Sequence, residues 1–187
     1  HPAAAEVISA VRRCLLTDGF LLLEIPGLAR LTERVIEQCA AFHNLPLEEK
    51  ELCHHSTDPF KWGGYFRRGE EPAYTKGTVS HLEDFGVSYH LALEEATRKA
   101  QMWPRRPRKF KEAVIDYLLG LSPVVDALHC ALKIAFGLSD YEASDTSSLL
   151  RMLKYPPGVT GIISEHTDFE VFTLLHQTSP GLQFMVK

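Results

Sequence analysis

The residues best suited to chemistry lie close to the carboxyl end, in the stretch Gly161 to Gln183. His166 and Asp168 stand two apart there, as His-Thr-Asp. On an extended chain residues two apart project to the same side, which sets an imidazole nitrogen beside a carboxylate oxygen. An exposed pair of this kind is common and often inert. At the rim of a β-barrel it supplies two of the three ligands in the two-histidine, one-carboxylate set that holds iron(II) with coordination positions left open. The tripeptide is a weak signal alone, and its surroundings strengthen it: a strand and the Tyr155-Pro156-Pro157 turn precede it, and an apolar strand and a Gly181-Leu182-Gln183 strand start follow.

The remaining chemistry-bearing residues are dispersed. His176, eight residues beyond Asp168, is the nearest further imidazole, and a hydrolytic metal site built from His166, Asp168 and His176 is a remote alternative. His54, His55, His81, His90 and His129 read as surface or core residues. The four cysteines (Cys14, Cys39, Cys53 and Cys130) show no CxxC pairing and read as buried apolar groups in a reducing compartment.

Elements must position this pair. Val7, Ile8, Val11, Cys14, Leu15 and Leu16 form a helical stripe over residues 3–17, stopped at Asp18-Gly19. Phe20 to Ile25 is an apolar run expected as a buried strand. Helices are expected over 31–43, from Leu47 to Glu51, and from Phe110 to Phe136, the last kinked or split at Pro123 and ended by Gly137. Residues 56–77 mix glycines with Trp62, Tyr65, Phe66 and Tyr74, as an ordered functional loop does. Strands are expected over 84–91, 149–155, 161–166, 171–176 and from Leu182 onward. The expected class is α+β, with a helical region over residues 1–146 leading into the first strands of a jelly-roll core over 147–187.

Composition sets the outer bounds. The 187 residues are 45% apolar, enough for one real core, and carry a net charge of −4. With a pI near 6.1 there is no basic surface of the kind nucleic-acid binders use. The basic stretch Arg105 to Lys111 reads as a solvated approach to the following helix. No uninterrupted apolar run of about 18 residues is evident, so no membrane span is expected. No secretory leader is visible, which points to the cytoplasm. The start at His1 suggests an origin inside a longer reading frame.

The segment resembles the isopenicillin-N-synthase-like branch of the 2-oxoglutarate- and iron(II)-dependent oxygenases. Tyr155-Pro156-Pro157, His166-Thr167-Asp168-Phe169, Thr173-Leu174-Leu175, Gln177 and Gly181-Leu182-Gln183 match that pattern in order and spacing. Asp18-Gly19-Phe20, Phe42 with Leu45-Pro46, Glu48-Glu49-Lys50, Gly64-Tyr65-Phe66 and Trp103-Pro104 have softer counterparts upstream. The resemblance implies iron(II) held by His166 and Asp168, with 2-oxoglutarate as co-substrate and O2 and a small molecule as reactants. It places Tyr155 and Arg151 at the co-substrate pocket, and Tyr65, Phe66 and Phe85 along an apolar substrate wall.

Two positions depart from the pattern. Leu153 stands where the family commonly has asparagine, which removes or replaces one co-substrate contact, and Glu170 stands where glycine is frequent. The second metal histidine and the arginine–serine pair for the far carboxylate of 2-oxoglutarate are expected beyond Lys187. The chain is therefore expected to be a fragment of an oxygenase, poorly folded at its carboxyl end and inactive by itself. The alternative is a catalytically inactive truncated product serving as a binding or regulatory module.

Overall fold

The computed structural model describes residues 2–57, 63–70, 79–89, 102–139, 148–158, 163–168 and 170–184. Its elements are helices α1 (Pro2–Thr17), α2 (Ala29–His43) and α3 (Leu47–Glu51), strands β1 (Gly64–Phe66) and β2 (Glu83–Ser88), the long helix α4 (Phe110–Phe136) and strand β3 (Leu149–Lys154). The strands form one antiparallel sheet in the order β1-β2-β3, against which α2 and α4 pack, while α1 lies on α4. The class is thus α+β.

The helix boundaries follow local chemistry. After α1, Gly19 takes a positive φ of 78° and its amide closes on the Cys14 carbonyl. Gly137 ends α4 in the left-handed conformation, with its N–H donating to Lys133. The Arg12 guanidinium, from α1, donates to the Ala135 carbonyl, one of those left without an intrahelical donor at the end of α4. Of the two outcomes expected at Pro123, a kink or a split, the split does not occur: α4 runs through it. That residue is exposed, so the carbonyl deprived of its donor one turn earlier can be hydrated at little cost. By length and composition alone α4 is also apolar enough to cross a membrane, although Asp116 and Asp126 interrupt its apolar run. One side of it, through Phe110, Val114 and Leu118, is committed to the core.

The core lies between the sheet and helices α2 and α4. Phe42 sits at its centre, with ring centroids 4.9 Å from Phe85, 5.4 Å from Phe110 and 6.0 Å from Tyr65. The sheet register assigns faces, because residues paired across antiparallel strands point to the same side. Tyr65 pairs with Phe85, and Phe85 with Met152, and all three are buried in this core. Phe66 pairs with Asp84, Asp84 with Leu153, and Gly86 with Arg151, which makes up the opposite face.

Buried polar groups pin α2 and α3 to the sheet. Lys50 Nζ donates to Glu83 Oε2 over 2.6 Å, and His43 Nε2 lies 3.0 Å from the Met152 carbonyl. Hydrogen bonding to a carbonyl requires the proton on Nε2, with Nδ1 then facing Glu83 Oε2 at 3.6 Å. Burial pushes the His43 pKa below 6.5, assisted by Lys50 and Lys154 and opposed by the Met152 carbonyl and Glu83. The unfolded chain consequently binds the proton more readily than the folded one. His43 contributes stability that is present above about pH 6.5 and is lost as pH falls through the lowered folded value. The urea midpoint is expected to drop between pH 7 and pH 5, and His43→Gln, which keeps a donor for Met152, is expected to flatten that dependence. An unchanged slope in the variant would assign the effect to other groups.

Gly64 has a φ of +98°, and a Cβ there would lie 2.6 Å from the Cys53 carbonyl oxygen. Gly64→Ala therefore combines an unfavourable backbone with a clash against main chain. We expect a loss of about 2 kcal/mol or more in chemical denaturation.

Among the described residues, the expected strands at 20–25 and after β3 are not seen. Phe20 to Ile25, 163–168 and 170–184 lie outside regular elements, with Leu22, Leu175, Leu182 and Phe184 exposed. An apolar segment becomes a strand only when a neighbouring edge takes its backbone hydrogen bonds, and none among the described residues does so here. Phe20 and Phe184 instead stack on each other at 4.4 Å. Trp62, Tyr74, His90, Phe169 and residues 185–187, which fall in segments named in the sequence reading, lie outside the described residues.

Candidate metal and co-substrate site

His166 is oriented by its own turn, in which ring Nδ1 lies 2.8 Å from the Ser164 carbonyl. Only a protonated Nδ1 can make that bond, so the lone pair resides on Nε2. Nε2 in turn stands 3.4 Å from Asp168 Oδ1. Two donors each about 2.1 Å from a common ion are separated by roughly this distance. Thr173 Oγ1 donates to Asp168 Oδ2 over 2.6 Å, leaving Oδ1 facing the imidazole. An imidazole held by a carbonyl and a carboxylate held by a hydroxyl are the outer contacts that fix metal ligands. The pair is open to solvent, with side-chain exposures of 28% and 50%. Among the described residues no further histidine, cysteine or carboxylate completes a three-ligand group with it, and His176 does not join it.

The two residues assigned to 2-oxoglutarate lie on or just after β3. Arg151 and Leu153 project from the sheet face opposite the core, and Tyr155 follows at the same period of two. Burial and the Asp84 carboxylate raise the Tyr155 pKa despite the opposing Arg151 charge, so the phenol stays protonated and able to donate. Arg151 directs Nε and Nη2 to Asp84 Oδ2, each at 2.6 Å, while its guanidinium lies over the Phe66 ring at 5.8 Å. Asp84 itself is fully buried. Sequence reasoning missed this pairing, although a carboxylate directly before the apolar run Phe85-Gly86-Val87 in the same strand was the available signal.

The three aromatics read as a substrate wall divide between the faces. Phe66 shares the outer face with Arg151 and stacks on His55 at 4.1 Å. Tyr65 and Phe85 point the other way and are buried beside Phe42, where packing accounts for both. Burial, and then Glu83, push the Tyr65 phenol well above its usual pKa. Of the cysteines, burial raises Cys39 and Cys53 to about 12, whereas Cys130 is exposed, contrary to the reading of all four as buried.

A family model for the amino-terminal region of non-haem dioxygenases in morphine synthesis matches residues 1–106, more than half of the chain. The chain belongs to the 2-oxoglutarate- and iron(II)-dependent oxygenases. Curated relatives of this superfamily extend the likeness beyond that region. A leucoanthocyanidin dioxygenase of Vitis vinifera is 29% identical across 82% of this chain and 44% of its own length. A clavatol oxidase of Penicillium crustosum is 31% identical across 98% of this chain and 64% of its own. A flavonol synthase/flavanone 3-hydroxylase of Solanum tuberosum is 30% identical across 72% and 40% respectively. The chain thus spans about half the length of the relatives it matches. No solved structure matches it.

Within this oxygenase superfamily iron(II) and 2-oxoglutarate are the expected cofactor and co-substrate. The geometry at His166 and Asp168 fits two of the ligands such an iron needs: a neutral nitrogen, a carboxylate, and outer contacts that orient each.

Proposed function

We propose that this oxygenase chain forms the amino-terminal and early core part of an enzyme that oxidises a small organic molecule with O2. His166 Nε2 and Asp168 Oδ1 hold the iron(II), and sequence beyond Lys187 brings the second histidine, the co-substrate arginine–serine pair and the strands that complete a jelly-roll. Held by His166 and Asp168, iron(II) would supply the chemistry that couples decarboxylation of 2-oxoglutarate to oxidation of the substrate. The chain's own residues do the positioning. Ser164 selects the tautomer of His166, Thr173 turns the Asp168 carboxylate, and the protonated Tyr155 phenol donates to a carboxylate of the co-substrate. Arg151 lies at the wall of that pocket, its charge shared with Asp84.

The observation that carries this reading is the 3.4 Å approach of Nε2 and Oδ1 with both outer contacts in place. Exposed apolar side chains at Leu175, Leu182 and Phe184 support it, since they are suited to inner positions of a sheet that further strands would cover. The names of the relatives point to substrates of the size of leucoanthocyanidin, clavatol or a flavanone. Hydroxylation, desaturation and ring closure of such a molecule all draw on this iron unit. We place the enzyme in the cytoplasm, with two of the iron ligands supplied by His166 and Asp168 among the described residues. The test is to express the reading frame extended past Lys187 and to measure succinate from 2-oxoglutarate. Succinate formed only with iron(II) and O2 is expected; an extended protein that forms none would overturn the proposal.

A further inference from the structure

A second group of metal-ligating side chains lies away from His166 and Asp168, where the end of α3 meets β1. Its backbone is closely fitted. The Tyr65 N–H donates to the Cys53 carbonyl over 2.8 Å, and His54 bridges to Tyr65 as a parallel neighbour. Gly64 lets β1 approach so near that a Cβ there would come 3.2 Å from the Cα of His55. Beyond β1, a turn closed by Glu70 N–H to the Arg67 carbonyl returns the Glu70 side chain to the two histidines, and the Arg67 N–H donates to its Oε2 over 2.6 Å.

Three ligand atoms converge as a result. His54 Nε2 lies 2.9 and 3.0 Å from the two Glu70 oxygens, and His55 Nε2 lies 3.6 Å from Oε2. One donor atom from each residue falls within 4.8 Å of the others. Nitrogen and oxygen donors about 2.1 Å from a tetrahedral ion stand roughly 3.4 Å apart, so small adjustments would seat one. Without an ion, His54 Nδ1 accepts from the Ser56 N–H at 3.3 Å with Ser56 Oγ 2.7 Å away, and Nε2 carries the proton toward Glu70; loss of that proton on metal binding would free the Nε2 lone pair. The His55 ring is steadied by its stack on Phe66. His54 is buried, while the side chains of His55 and Glu70 are 28% and 27% exposed, which gives an ion and a completing water a route in.

We propose that His54, His55 and Glu70 form a second divalent-cation site, of the class that takes zinc(II), joining the end of α3 to the turn after β1. Arg67 is the competing cation, with Nη1 3.7 Å from Glu70 Oε1, but its Nε and Nη2 are engaged by Glu51. Without an ion, His54 donates to Glu70 directly; binding replaces that hydrogen bond by two nitrogen ligands and one oxygen ligand. Three protein ligands leave a fourth position for water.

The probe is cobalt(II), whose visible bands report nitrogen and oxygen ligation in a zinc-type site. It is titrated into the protein carrying His166→Ala and Asp168→Ala, so that failure of the proposed iron site cannot be mistaken for failure of this one. One bound equivalent, displaced by zinc(II), is expected. Adding His55→Ala or Glu70→Gln is expected to weaken binding by more than about 100-fold, beyond what loss of an outer contact causes. These residues are partly exposed, so circular dichroism can verify the fold of each variant where the buried His54 would be a poorer choice. Absence of a bound equivalent, or undiminished binding in folded His55→Ala and Glu70→Gln proteins, would overturn the proposal.

Discussion

Replacing His166 by Ala in the protein extended past Lys187 is expected to abolish iron(II) binding at this site and succinate formation together. Asp168→Ala is expected to do the same, because each residue supplies one donor atom to the same ion. Thr173→Val separates ligation from mere proximity. It removes the 2.6 Å hydrogen bond to Asp168 Oδ2 while leaving both ligand atoms in place. Outer contacts of this kind are worth about 10- to 100-fold in metal affinity, so this variant should retain iron with weakened binding. Equilibrium dialysis with metal analysis, in a Glu70→Gln background that removes the second cation site, gives the ranking directly: wild type, then Thr173→Val, then the two ligand variants with none. Iron binding by His166→Ala equal to wild type would show that the pair is not the metal centre.

Phe42→Ala should have the largest effect on the fold. The ring is fully buried and packs with Phe85, Phe110 and Tyr65, so it ties α2 to both the sheet and α4. Truncating such a side chain removes its transfer energy and leaves a cavity whose lining cannot fully collapse, at a cost of about 3–5 kcal/mol. For a chain of this size that corresponds to a fall of roughly 10 °C in Tm. Phe66→Ala, on the outer sheet face, should cost far less. Equal losses in the two variants would mean that the core is not where the sheet register puts it.

Helices were legible because their signals are local. Apolar spacing and the glycines at 19 and 137 place α1, α2 and α4 within two residues of their observed limits. Strands were legible only where a partner is present. β2 and β3 pair over six residues each, while the equally apolar Phe20 to Ile25 has no edge beside it and stays irregular. The same reason explains the site. His166 and Asp168 are two residues apart and needed no knowledge of the fold to be set together, and the structure does bring Nε2 and Oδ1 to 3.4 Å. Arg151 and Asp84 are separated by 67 residues, and His54 and Glu70 by 16. Those juxtapositions depend on strand register and on a turn, which side-chain types alone do not reveal. Face assignment fails similarly: Tyr65 and Phe66 are neighbours in sequence, yet the pleat sends one into the core and the other to the Arg151 side.

The most direct measurement is an anomalous-difference map at the iron absorption edge, from crystals of the extended protein loaded anaerobically with iron(II). The account predicts a peak within bonding distance of His166 Nε2 and the Asp168 carboxylate, with Tyr155 lining the same cavity. Iron located elsewhere in the molecule, with no peak at His166 and Asp168, would contradict it.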